Sequence, residues 1–130
     1  LLYSVSAGFV EAGENLEHAA RREAKEETGI DAVVTDLVAV TSSSRVITYA
    51  NGDNTMYMDH SFLCALKPGG NAEPYVGDEE SLNVGWFELD DLPEPLAAST
   101  VERLKLFRRY LDNKRRGDAH ALFVADGVQR

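Results

Sequence analysis

Apolar and polar positions alternate along some stretches of this chain and recur at helical spacing along others, so elements can be placed from the period alone. A first helix is expected from Asn15, a residue type that caps helix starts, to just before Gly29, the type that ends them. Residues 33–40 then read as a strand interrupted by Asp36, and Ser42-Ser43-Ser44 as a polar break. Residues 45–49 and 55–66 read as the arms of a hairpin turned by Ala50-Asn51-Gly52-Asp53. In the second arm Met56, Met58, Phe62, Cys64 and Leu66 alternate with Tyr57, Asp59, Ser61 and Leu63, which makes one face apolar and places both methionines in the core. Residues 67–71 form a Pro-Gly-Gly loop, and 82–89 another strand with Leu82, Val84 and Trp86 on one face. A Pro-rich turn at 90–95 leads to a closing helix that begins near Ser99, with Glu102 as its capping-box partner. Its stripe is Val101, Leu104, Phe107 and Tyr110 or Leu111, and it ends in Lys114-Arg115-Arg116. Residues 119–124 are left to pack on the domain or on a partner.

The first helix departs from ordinary amphipathicity. At about 100° per residue Leu16, Ala20, Glu23 and Glu27 fall within about 60° of one another, with Ala19 and Glu26 alongside. His18, Arg21, Lys25 and Thr28 lie opposite. The basic residues therefore face water while carboxylates share the apolar face. Carboxylates crowded at a partly dry site repel one another and stay ionised only if a cation joins them. Oxygen-only ligands suit Mg²⁺ or Mn²⁺. On an arbitrary helix, E-x-x-E-E is most often a solvated acidic patch; here its surroundings decide otherwise.

The whole stretch GFVEAGENLEHAARREAKEETGI resembles, position for position, the signature of the Nudix hydrolases, G-x5-E-x7-R-E-U-x-E-E-x-G-U with U a bulky aliphatic. Gly8, Glu14, Arg22, Glu23, Glu26, Glu27, Gly29 and Ile30 are in register, and Ala24 holds the first U position with a smaller side chain. The resemblance implies the Nudix fold, an α/β/α sandwich with a mixed central sheet, and a loop–helix–loop that holds divalent metal on a diphosphate. It implies Glu26 and Glu27 as principal metal ligands and Glu23 as a further ligand or the base that deprotonates water. Arg22 would orient Glu23 through a charge-assisted hydrogen bond. Glu14 would brace the loop or reach the metal through water, and the carbonyl of Ala7 would ligate metal. Gly8 and Gly13 would let the loop turn beside a bound anion.

Two departures stand out. Relatives often approach the box through aromatic-x-x-Pro-Gly-Gly, where this chain reads Tyr3-Ser4-Val5-Ser6-Ala7-Gly8; Ala7 restricts the backbone at a ligating position. The family also has a strand and a loop before that aromatic, where only Leu1 and Leu2 stand. A sheet without that strand would expose an edge, so residues are expected to be missing at the start of a single Nudix domain spanning 1–130.

Composition narrows the classes further. A length of 130 residues suits one domain with a real core. The net charge of −9 argues against long nucleic acid as a ligand, since polyanion binding relies on lysine and arginine neutralising phosphates; it does not argue against a small nucleotide, whose charge a metal can neutralise locally. Cys64 is the single cysteine, which excludes an intrachain disulfide framework and fits a reducing compartment. No run of about 18 apolar residues occurs, so no membrane span is expected and the cytoplasm is the simplest address.

Outside the box, Glu79 and Glu80 stand where many relatives carry a further acidic residue, as accessory ligand or base, against a solvated acidic loop. Arg45, Tyr49 and Asp53, on or beside the hairpin, are candidates for contacting nucleotide or sugar, against purely structural roles. Trp86 is expected in the core, with base stacking as its alternative. The expected activity is metal-dependent pyrophosphohydrolysis of a nucleoside diphosphate linked to another moiety, with ADP-ribose or a similar nucleotide sugar as the loosely indicated substrate. The alternatives are housecleaning hydrolysis of nucleoside triphosphates, a non-catalytic nucleotide-sugar sensor and a scaffold of poor activity. Relatives are often homodimers.

Overall fold

The computed structural model describes residues 2–77 and 83–129. Glu79 and Glu80, and the acidic loop they belong to, lie outside the described residues. The elements run α1 (Leu16–Thr28), β1 (Ala32–Ser42), β2 (Ile47–Thr48), β3 (Asn54–Thr55), β4 (Met58–Leu66), α2 (Ala98–Arg115), β5 (Leu122–Ala125) and β6 (Val128–Gln129). One sheet has the order β4-β1-β5-β6, and β2 and β3 form a separate two-stranded ribbon. β5 runs parallel to β1 and antiparallel to β6, so the main sheet is mixed and the α/β class stands. No helix among the described residues is long and apolar enough to cross a membrane.

The chain folds as two compact units, each discontinuous in sequence: Leu1–Asp36 with Leu63–Glu102, and Leu37–Phe62 with Arg103–Arg130. In the first, α1 begins and ends where its caps dictate. The Asn15 side chain accepts from the His18 N–H at 2.8 Å, and Gly29 sits left-handed at φ 77° with its N–H on the Lys25 carbonyl. The loop after β4 is tied to this end of the helix. Asn71 donates from Nδ2 to the Gly29 carbonyl at 2.8 Å and from its backbone to Asp31 at 2.7 Å, and Tyr75 N–H bonds the Thr28 carbonyl at 2.7 Å. The Asn71 N–H, followed by Lys25, holds the Asp31 carboxyl below its usual range. At its other end the unit joins the approach to the box to the start of α2: Tyr3 N–H reaches Pro95, Ala97 N–H returns to Tyr3, and Val5 N–H donates to the buried Thr100 hydroxyl at 3.3 Å.

Gly29 cannot be replaced without cost. A Cβ there would lie 2.2 Å from the Tyr75 ring, and the left-handed backbone disfavours any L side chain. Gly29→Ala is expected to destabilise the protein by about 2 kcal/mol or more, read as a lower urea midpoint with an unchanged slope.

In the second unit Val38, Ala39, Tyr110, Leu122 and Val124 are buried. Ala39 pairs with Leu122 and Thr41 with Val124 across the parallel β1–β5 ladder. The late strand ends in a two-residue turn whose Asp126 and Gly127 both have positive φ, at 49° and 77°, after which Val128 returns opposite Ala125. This answers the open question about residues 119–124: their apolar part is an internal strand.

Several expectations are corrected. The described residues 83–88 form no strand. Gly85 weakens a strand interior, and Trp86, 63% exposed, turns its indole N–H to the Ala72 carbonyl at 2.9 Å instead of entering a core. Met56, Met58, Cys64 and Leu66 are also exposed, so the expected apolar face of the second arm is not a core face, and residues 56–57 separate β3 from β4 where one long arm was expected. α2 starts at Ala98. Ser99 therefore lies inside the helix, and Ala97 accepts the first helical bond, from the Val101 N–H.

Candidate metal centre

Arg22 organises the box. It lies on α1, and its five donors are spread over four partners. Nε and Nη2 hold the two oxygens of Glu14 at 2.7 and 3.0 Å, a bidentate fork. Nη2 also reaches the Phe9 carbonyl at 2.9 Å, while Nη1 donates to Glu23 Oε1 at 2.8 Å and to Glu26 Oε2 at 3.1 Å. One cation thus ties the loop preceding α1 to two of the helix glutamates. The bonds to Glu14 and then Glu23 push the guanidinium pKa up still further, keeping it charged at any working pH.

Glu14 is the anchor. Its side chain is only 7% exposed, and its acceptor sites are filled by the Arg22 fork, the Glu11 N–H at 3.1 Å and His18 Nδ1 at 2.7 Å. The Arg22 bonds, then the Glu11 N–H, lower its pKa to about 2 against the opposing effect of burial. It is a permanent carboxylate that braces the loop.

Glu27 has the opposite character. Burial raises its pKa to about 7, with the neighbouring Glu23 carboxyl adding to the rise; hydrogen bonds from the Ser6 side chain and the Ala7 N–H pull the other way. Gly8 lies directly against Glu23, since a Cβ at residue 8 would stand 2.0 Å from Glu23 Cδ. Here glycine is required by contact, for its φ is not in the left-handed region. Gly8→Ala is expected to displace the Glu23 carboxylate and lower turnover by about 100-fold, with the loss appearing in kcat measured at saturating metal.

The structure thus brings Glu23, Glu27, Ser6, Ala7 and Gly8 together. Glu26, 54% exposed, is directed at Arg22 instead. Among the described residues no group of three or more His, Cys, Asp or Glu side chains converges to cation-binding geometry; Arg22 Nη1 holds one oxygen of Glu23 at 2.8 Å and one of Glu26 at 3.1 Å. The donor set still fits a hard divalent ion: two oxygen donors on one helix face, one of them destabilised as an anion by burial and like charge, are what such a cation relieves. Arg45, Tyr49 and Asp53 belong to the second unit, are exposed, and are engaged in contacts local to the β2–β3 ribbon. Arg45 N–H meets Ser43 Oγ, Tyr49 N–H the Asp53 carbonyl, and Asp53 the Asn51 amide. The placement of His18 on Glu14 escaped the helical-wheel argument, because Glu14 stands outside the helix; its signal is the i,i+4 spacing.

A family model described as the NUDIX domain matches residues 2–110. The chain belongs to the Nudix hydrolase family. Its members cleave pyrophosphate linkages, generally with divalent cations. Among curated relatives, the NAD-capped RNA hydrolase NudC of Chromobacterium violaceum is 34% identical over 107 residues, 79% of this chain and 35% of that protein. NudC of Vibrio atlanticus is 33% identical over 118 residues, 88% of this chain and 38% of its own. This Nudix chain spans about a third of the length of these relatives. Among solved structures, a MutT Nudix hydrolase from Burkholderia pseudomallei superposes with a TM-score of 0.53 at 28% identity, covering 81% of this chain and 76% of the other.

Proposed function

We propose that this chain hydrolyses the pyrophosphate of a nucleoside diphosphate joined to a second moiety, releasing a nucleoside monophosphate and a phosphorylated remainder. ADP-ribose-like nucleotide sugars and NAD-type dinucleotides are the substrate classes put forward; the relatives named NAD-capped RNA hydrolases support the second. The Arg22 fork carries the reading: it sets Glu23 beside Glu27 on one face of α1 while Glu14 fixes the fork itself. A non-catalytic sensor has no need of such an arrangement.

Glu23 and Glu27 would hold Mg²⁺ or Mn²⁺, joined by Glu26 once it leaves Arg22 Nη1 and by the Ala7 carbonyl. A bound divalent ion neutralises diphosphate charge and lowers the pKa of coordinated water. The protein's own part is positional. Arg22 keeps one Glu23 oxygen engaged and leaves the other to ligate metal or accept a proton. Ser6 and the Ala7 N–H hold Glu27, and Gly8 allows the loop to lie against Glu23.

The test is phosphatase-coupled phosphate release from ADP-ribose, NADH, a NAD-capped RNA and nucleoside triphosphates, with Mg²⁺ or Mn²⁺ and Glu27→Gln as control. Turnover of ADP-ribose, NADH or capped RNA, lost in the control, supports the proposal. Preference for triphosphates replaces it with housecleaning hydrolysis. Binding of these ligands without turnover points to a sensor.

A further inference from the structure

We propose that His18 is a positioning residue for this hydrolase, closing a side-chain relay His18–Glu14–Arg22–Glu23 that aims the Glu23 carboxylate. The inference rests on the reading of the box as a hydrolytic site, but the contact it invokes is independent of any substrate.

Three observations carry it. First, Glu14 Oε2 lies 2.7 Å from His18 Nδ1 and 2.7 Å from Arg22 Nε, while Oε1 takes Arg22 Nη2 and the Glu11 N–H at 3.0 and 3.1 Å. A carboxylate offers about four acceptor sites, so His18 supplies the last donor to a nearly buried anion. Second, the backbone of His18 is itself fixed, its N–H held by the Asn15 cap at 2.8 Å. The ring therefore starts from a rigid helix turn. Third, Arg22 has no slack: with two donors committed to Glu14, the direction of Nη1 toward Glu23 and Glu26 follows from how Glu14 is turned.

The tautomer follows from the partner. Glu14 is an ionised acceptor, so the ring must present Nδ1–H, the form that neutral imidazole in water disfavours. Removing the ring frees one lobe of the Glu14 carboxylate to swing toward water, and the fork on Arg22 swings with it. Since His18 is 55% exposed, the pair adds little to global stability. Its loss is expected in turnover and not in melting.

The experiment uses the full chain as wild type, His18→Ala, His18→Gln and Glu14→Gln, with NADH and ADP-ribose as probes in saturating Mg²⁺. His18→Ala should lower kcat by about three- to tenfold, with KM and the melting temperature unchanged. His18→Gln, which keeps a donor within reach, should recover most of the loss. The Glu14→Gln and His18→Ala effects should be non-additive. In parallel, 15N spectra at a pH where the ring is neutral should show His18 protonated on Nδ1 in the wild type and reverting to Nε2–H in Glu14→Gln. Wild-type kcat in His18→Ala, or a wild-type ring protonated on Nε2, overturns the proposal. If the wild type cleaves neither probe, the substrate reading fails, and the tautomer pair alone decides the relay.

Discussion

Glu27→Gln is expected to reduce turnover by at least about 100-fold while leaving a protein that, free of divalent cations, melts higher than wild type at pH 8. The first half follows because a neutral amide is a poor ligand for Mg²⁺. The second follows from proton linkage. In the fold the Glu27 pKa is raised from an ordinary 4.5 to about 7. Between those values the folded chain retains a proton that the unfolded chain has lost, so stability falls as pH rises through that window and stays lower above it. Glutamine removes the burden, worth about 1 kcal/mol once solvent screening is allowed for. Melts of both proteins from pH 4 to 8.5 should converge at the acid end, separate progressively between about pH 4.5 and 7, and keep the full difference above pH 7. Mg²⁺ competes with the same proton, so its affinity for wild type should climb through neutral pH. A variant that melts lower than wild type at pH 8 would attribute its inactivity to misfolding and remove the support for Glu27 as a ligand.

Arg22→Lys should be nearly as severe despite conserving charge. An ammonium is a point donor and cannot hold both Glu14 oxygens, the Phe9 carbonyl and Nη1's two carboxylates at once. Glu14 would keep a nearly buried negative charge without its fork, and Glu23 would lose its orientation. A fall in kcat of about 100-fold and a lower melting temperature are expected, measured in steady-state kinetics and thermal denaturation. If kcat stays near wild type, the fork serves the fold alone.

What could be read from residues was local. The limits of α1 were legible because Asn15 and Gly29 act within a turn of themselves. The box was legible because its spacing is short-range. Its internal wiring was less so: a wheel of helix positions leaves out Glu14, which lies before the helix, and therefore hides both the fork and His18. The contact of Arg22 with Glu26, by contrast, follows from their i,i+4 spacing on one helix. Tertiary contacts defeated periodicity elsewhere. The alternation at 82–89 suggested a strand, yet Trp86 spends its indole on the Ala72 carbonyl, a bond no period can announce. β5 is only four residues long and too short to stand out by pattern; the Asp126-Gly127 dipeptide after it was the usable sign of a hairpin.

The parallel pairing of Ala39 with Leu122 joins positions about eighty residues apart, and this governs the order in which the molecule can assemble. During synthesis β1 emerges about eighty residues before the strand that pairs with it on the β5 side. Until then that flank of β1 offers unpaired N–H and C=O groups to any other extended chain. Contacts of such long range also slow folding, since a large loop must close before they form. The vulnerable interval is therefore set by how quickly β5 follows β1.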